Sequence, residues 1–370
     1  MSELKKERLV VFDFIRLFAI LMVVLSHTLK VGNLPFDIGY LGILGNALFF
    51  FISGYLIYLN NHKFDSKKDI VKFYKKRVLR IYPLYVLAIL SCMLLSIIIG
   101  NVMLFGDIRF HTPFEIIASI LGLQMVFYPK LVAEPLVLWF IGMILIFYII
   151  YPLAMYFSRQ NIVKYIILSC FAIGLLVLVK VFTGFIGGGV FEYYFVFVAG
   201  VLAAWIQIFK SNHIKILYIT SWIIFLGCVF ITQVIHPSIG GAEHLSLSLS
   251  VIIPVGLVIL LRMIYGISAV FVLYSIFNVI NPRKKISDVI VKGAFAAYAV
   301  YLFHGPFFTI INKVITSLGE VISEILLNPI VYDILLVVIF IPVIFIIGYF
   351  LQKGENICIK KIKMKFSTKH

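Results

Sequence analysis

An all-α, polytopic membrane fold is what this sequence predicts, and three observations carry the expectation. The 370 residues are 62% hydrophobic, with a mean hydropathy of +1.10, and only 13% are charged, about half of the roughly 25% usual in soluble domains. About ten stretches are apolar over the ~20 residues that a spanning helix needs. The basic residues gather in the short segments between alternate stretches, as insertion asymmetry requires.

The predicted spans are 10–29, 40–59, 83–104, 136–157, 165–185, 191–209, 214–235, 246–265, 288–311 and 329–351. Span 10–29 carries three residues that hydrocarbon disfavours, Asp13, Arg16 and His27. A charge at the bilayer centre costs roughly 2.5–3.5 kcal/mol on insertion scales, so such residues are functional-site candidates. At about 100° per residue, the step from Arg16 to His27 returns almost to its starting angle. Asp13 lies on the neighbouring ridge. The helix therefore presents a polar stripe to something other than lipid. Lys5, Lys6 and Arg8 precede it, but Asp13 and Arg16 interrupt the apolar run and no small-residue cleavage site follows. A retained helix, not a signal peptide, is expected.

In span 40–59, Asn46 and Ser53 are seven residues apart, near one face. Gly42, Gly45 and Gly54 permit close helix approach. Asn46 and Ser53 serve either as polar links between helices or as contacts to a substrate. The segment 63–82 holds eight basic residues and reads as a surface helix on anionic headgroups. Within it, Arg77 and Arg80 stand one turn apart at the mouth of span 83–104, where paired guanidinium groups suit a multiply anionic phosphate ligand. No Walker-type loop and no glycine-rich nucleotide motif accompanies them, so nucleotide hydrolysis has no support.

The loop 105–135 contains the apolar stretch 113–127, expected as an outer helix lying on the membrane or dipping into it. Trp139 opens span 136–157 as an interface anchor or a stacking face for a sugar. Lys180, near the end of span 165–185, is expected to snorkel. Glu192 lies at the outer rim, where it can meet an acceptor. Apolar sequence runs from Leu245 to Ile280, interrupted by Pro254, Arg262 and Gly266. One crossing ending near Arg262, itself expected to snorkel, followed by a surface or half-inserted helix is preferred. Two crossings would reverse the sidedness of everything after them. In span 288–311, His304 stands beside Gly305 and Pro306, where backbone groups lose partners. It serves either to bond a freed carbonyl or as a second polar wall for an acceptor.

The tail before residue 10, the segments 60–82, 158–164, 210–215 and 262–292, and the C-terminal tail together hold 26 of the 32 Lys and Arg. Both termini are therefore expected in the cytoplasm. The net charge of +16 is spread over these loops. It points to anionic lipid or phosphate and away from nucleic acid. Cys92, Cys170, Cys228 and Cys358 show no paired spacing, which argues against a disulfide framework or a zinc site, and no metal is expected. With no polar block long enough for a soluble domain, residues 1–370 are expected to form a single integral-membrane domain.

Five blocks of this chain resemble the integral-membrane acyltransferase 3 family. They are Phe12-DFIRLFAILMVVLS-His27 with its Arg-x10-His pattern, Leu48-FFFISGYLI-Tyr58, Phe73-YKKRVLRIY-Pro83 with Arg-x-x-Arg, Leu138-WFIGMILIFYIIY-Pro152, and Tyr298-AVYLFHG-Pro306. They stand in the family's order and cover nearly the whole chain. The resemblance implies about ten helices around a central cavity, with acyl-CoA, acetyl-CoA being expected, entering from the cytoplasm as donor substrate and no permanently bound cofactor. The acceptor would be a hydroxyl of an envelope polysaccharide or glycolipid, and the location a bacterial plasma membrane.

By resemblance, His27 matches the catalytic histidine, Arg16 its partner in the motif, and Arg77 and Arg80 the acyl-CoA-binding arginines. Asp13 joins the catalytic candidates, with neutralisation of Arg16 as its nearest task. Asn46, Ser53, Trp139, Tyr301 and His304 are the acceptor-binding candidates. Relatives often carry a glutamate shortly after the block-four tryptophan. Here Trp139 is followed by FIGMILIF, so that carboxylate's role does not carry over. His27 lies about 21 Å along the helix from Asp13, a span an extended pantetheine arm can bridge. Its imidazole can act as a general base on the acceptor hydroxyl or be acylated first. The competing function is an exporter or flippase for polysaccharide or lipid-linked sugar, whose permeation path the stripe would line. No internal inverted repeat favours it. A scaffolding protein would leave the first-span charges unexplained.

Overall fold

A computed structural model describes residues 3–28, 39–99, 112–132, 138–232, 249–317, 331, 333, 334 and 336–367. The predicted span ends at 29, 100–104, 136–137, 233–235, 246–248, 329–330, 332 and 335, and the basic residues Lys30, Arg109 and Lys369, lie outside the described residues.

Apolar runs become helices wherever the backbone must satisfy its own hydrogen bonds away from water, and no strand occurs among the described residues. The helices are α1 (Glu3–Thr28), α2 (Gly39–Asn60), α3 (Lys67–Ile99), α4 (Pro113–Ile120), α5 (Gln124–Phe127), α6 (Trp139–Ser158), α7 (Ile162–Thr183), α8 (Gly189–Trp205), α9 (Ile214–Phe230), α10 (Leu249–Ile280), α11 (Lys284–Ser317) and α12 (Ile341–Ser367). Eight of them are long and apolar enough to cross a membrane. The apolar α8 and α9 are shorter, with 17 residues each. Each of these ten matches one predicted span.

Three local expectations are corrected. The basic segment and the third span form one helix, α3, which runs through Pro83 without ending. The apolar run after residue 245 is also one helix, α10, which does not stop at Arg262. Its 32 residues extend about 48 Å, longer than the ~30 Å hydrocarbon core, so one crossing accounts for the whole run. The outer helix expected over 113–127 is two short helices. Thr112 caps α4 through a reciprocal capping box with Glu115, and the chain turns at Gly122, whose φ is +72°, before α5 begins.

The helices cluster into two compact units. The first comprises Met1–Gly42, Arg77–Phe110 and Pro282–His370; the second comprises Ile43–Lys76 and His111–Asn281. Within the first, α11 is the hub, packing against both α1 and α12. Gly293 of α11 receives the Leu17 side chain of α1, and Val300 of α11 packs on Gly348 of α12.

Within the second unit, α10 packs on α8 and α9, and α7 on α6 and α8. The α2–α8 crossing is a backbone-to-backbone contact. A Cβ at Gly54 would strike the Phe197 carbonyl, and one at Gly200 would strike the Phe51 carbonyl. The predicted close-approach role of Gly54 is met here, by the small-residue packing usual in membranes. The α6–α7 connection is tight: the chain turns at Arg159, in the left-handed region at φ 48°, and the Asn161 side chain accepts from the Lys164 N–H to start α7.

Candidate functional site

The polar stripe of α1 resolves into two separate features. Arg16 donates to Asp13 at 2.7 Å, forming a half-buried ion pair. The pairing follows from the three-residue spacing and neutralises a charge that would otherwise be costly in lipid. His27 stands in the last turn of α1, about 16 Å further along the helix from Arg16. Neither member of the pair is within hydrogen-bond reach of the imidazole, so this helix does not bring Asp13 or Arg16 to it.

His27 instead meets His304. Because α1 packs on α11, the two imidazole rings come to 5.3 Å between centroids, tilted by 38°. His304 is 1% exposed. Its Nδ1 lies 2.7 Å from the Tyr301 carbonyl oxygen, one turn back on the same helix. A carbonyl only accepts, so Nδ1 carries the hydrogen and Nε2 holds a lone pair. That Nε2 is buried and has no hydrogen-bond partner. The carbonyl-bonding role considered for His304 is therefore present, and it leaves an accepting nitrogen in reserve. Tyr301 is itself buried, its ring 5.8 Å from the His304 ring.

The arginine pair belongs to the same unit. The Arg77 Nε is buried and Arg80 is exposed. The next residue, Ile81, is tied to α11 because the Tyr298 hydroxyl donates to its carbonyl at 2.7 Å. Tyr298 precedes His304 by six residues, about 9 Å along the helix. From α12, Glu355 comes within electrostatic reach of Arg80 and accepts from the Gln352 amide. Sequence reasoning missed this carboxylate, which stands 275 positions after Arg80; no local pattern links the two.

Asn46, Ser53 and Trp139 fall in the second unit, Tyr301 and His304 in the first. Asn46 is buried and within polar reach of Tyr193, while Ser53 is half-buried two turns further along α2. Trp139, at the start of α6, stacks on Tyr193 with centroids 6.1 Å apart, and Tyr193 stacks in turn on Phe50 at 5.0 Å.

Two charges expected at the periphery are bound inside. Arg262 donates to Glu192 at 2.7 Å, with side-chain exposures of only 22% and 9%. It does not snorkel, because its counter-charge is supplied by α8. Lys180 is 4% exposed, and its Nζ donates to the Ile186 carbonyl at 2.9 Å instead of reaching water. Among the described residues, no three His, Cys, Asp or Glu side chains gather into a metal-binding group.

Comparison with known proteins identifies a family. Neither a curated protein nor a solved structure matches the sequence. The profile described as "Acyltransferase domain", that of the acyltransferase 3 family, matches residues 9–349. That range contains both imidazoles, the arginine pair and the α1 ion pair. The choice left open between an enzyme and an exporter is thereby decided: the chain belongs to the acyltransferase 3 family and is a membrane acyltransferase.

Proposed function

We propose that the protein is an O-acyltransferase of the bacterial plasma membrane. It moves an acyl group, acetyl in the simplest case, from cytoplasmic acyl-CoA to a hydroxyl of an envelope polysaccharide or glycolipid. The observation that carries this reading is that an arginine pair and two neighbouring imidazoles share one packed unit, with Tyr298 linking the arginine segment to the helix of His304. Two guanidinium groups suit the phosphates of coenzyme A. An imidazole suits a reaction in which a hydroxyl must lose a proton as it attacks a thioester.

In this scheme Arg77 and Arg80 hold the charged end of the donor, and both termini face the cytoplasm. His27 takes the hydroxyl proton or first accepts the acyl group. The Asp13–Arg16 pair leaves the spanning part of α1, Val10–Thr28, without net charge from its Asp and Arg. Of the acceptor-binding candidates, Tyr301 shares the unit of His27 and contributes a hydrogen bond to the acceptor.

The test uses purified protein in liposomes with radiolabelled acetyl-CoA and a panel of envelope sugars. His27→Ala is expected to abolish transfer while acyl-CoA binding survives, and Arg80→Ala to weaken acyl-CoA binding. Normal turnover in both variants would sink the assignment.

A further inference from the structure

The buried Nε2 of His304 is unused by anything described so far. Its neighbour Nδ1 is committed to the Tyr301 carbonyl, which fixes the tautomer, so Nε2 can only accept. A lone pair buried without a partner is costly, and a polar ring beside it is that of His27, 5.3 Å away between centroids. Two other orienting groups are excluded by position. Asp13 is bonded to Arg16 and lies about 21 Å along the helix; no carboxylate follows Trp139 through residue 147.

We propose that His304 is the positioning residue for His27: its Nε2 accepts the N–H of the His27 ring, leaving the other His27 nitrogen unprotonated for the reacting hydroxyl. The inference rests on the acyl-transfer reading above. A side-chain torsion of His27 closes the N–H···N bond, and catalytic hydrogen bonds are often long until substrate is bound. The hydroxyl oxygen then bonds to the acyl carbon as the carbon–sulfur bond breaks. The hydroxyl proton passes to the free nitrogen of His27, and the resulting imidazolium is stabilised by His304 through the N–H it already shares. The proton leaves with the coenzyme A thiolate, giving ester and thiol. Base and orienter are thus both imidazoles, with a backbone carbonyl as third member, the logic of a catalytic triad without its carboxylate.

Two amide substitutions separate this role from a purely structural one. The amide of asparagine overlies Nδ1, so His304→Asn keeps the bond to the Tyr301 carbonyl and removes the acceptor facing His27. The glutamine carbonyl can take the place of Nε2, so His304→Gln does the reverse. In the liposome assay, His304→Asn is expected to lower kcat by about 10²-fold with the KM for acetyl-CoA unchanged, and His304→Gln to stay within about tenfold of wild type. Wild-type kcat in His304→Asn, whatever His304→Gln does, overturns the proposal.

If neither variant folds, nitrogen-15 spectra of histidine-labelled wild-type protein with a non-hydrolysable acetyl-CoA analogue decide the matter. A scalar coupling across an N–H···N bond between the two rings is expected, and its absence overturns the assignment. Wild-type protein that turns over no acetyl-CoA would instead sink the acyl-transfer reading, whereas active wild type with an equally active His304→Asn sinks only the positioning role.

Discussion

At the scale of single residues, three buried or half-buried cations among the described residues are met by a carboxylate or by backbone. Arg16 has Asp13, Arg262 has Glu192, and Lys180 has the Ile186 carbonyl. Removing one member of a buried pair strands the other, which typically costs 3–5 kcal/mol. Arg262→Met alone is therefore expected to lower the thermal unfolding midpoint in detergent sharply. Adding Glu192→Gln should restore most of it; a double variant no more stable than the single one would show that the pair is not the source. The Asp13–Arg16 pair was legible in the sequence because three residues separate its members on one helix. Arg262–Glu192 was not, because 70 positions separate its members and only helix packing joins them.

At the scale of elements, the helices were legible and their terminations less so. Pro83 and Pro306 each lie inside a long helix, and Arg262 does not end α10. A proline removes one donor, but in a membrane neighbouring groups can compensate, and a paired arginine need not reach water. Helix approach is fixed more sharply than helix length. Gly54→Val or Gly200→Val would drive a side chain into a facing carbonyl and is expected to prevent normal α2–α8 packing, read as loss of the folded, monodisperse protein on size-exclusion chromatography. Gly174→Ala and Gly227→Ala have open space within 4 Å and should be neutral or stabilising by up to about 1 kcal/mol. Equal damage from all four would contradict the close-contact account.

At the scale of the whole molecule, the charge distribution makes a topological prediction. Cys358 is exposed near the end of α12, and its thiol is free. With both termini cytoplasmic, a membrane-impermeant maleimide should label Cys358 only after cells are permeabilised, Cys358→Ser serving as the blank. Labelling in intact cells would reverse the orientation. Because acyl-CoA is cytoplasmic in the proposed function, that result would also place the arginine pair on the wrong side for its donor.

The sequence by itself determined an all-helical membrane protein, the ten apolar elements, and the pairing of charges one turn apart. Hydrophobic length and helical periodicity are local properties, and a chain in lipid has few ways to satisfy its backbone. Only the tertiary structure decided which imidazole faces His27, which carboxylate answers Arg262, and which reaches Arg80. Those partners come from helices far apart in the chain, and their meeting is set by how α1, α11 and α12 pack in one unit and α8 and α10 in the other. Side-chain packing between helices leaves no periodic trace in either partner alone.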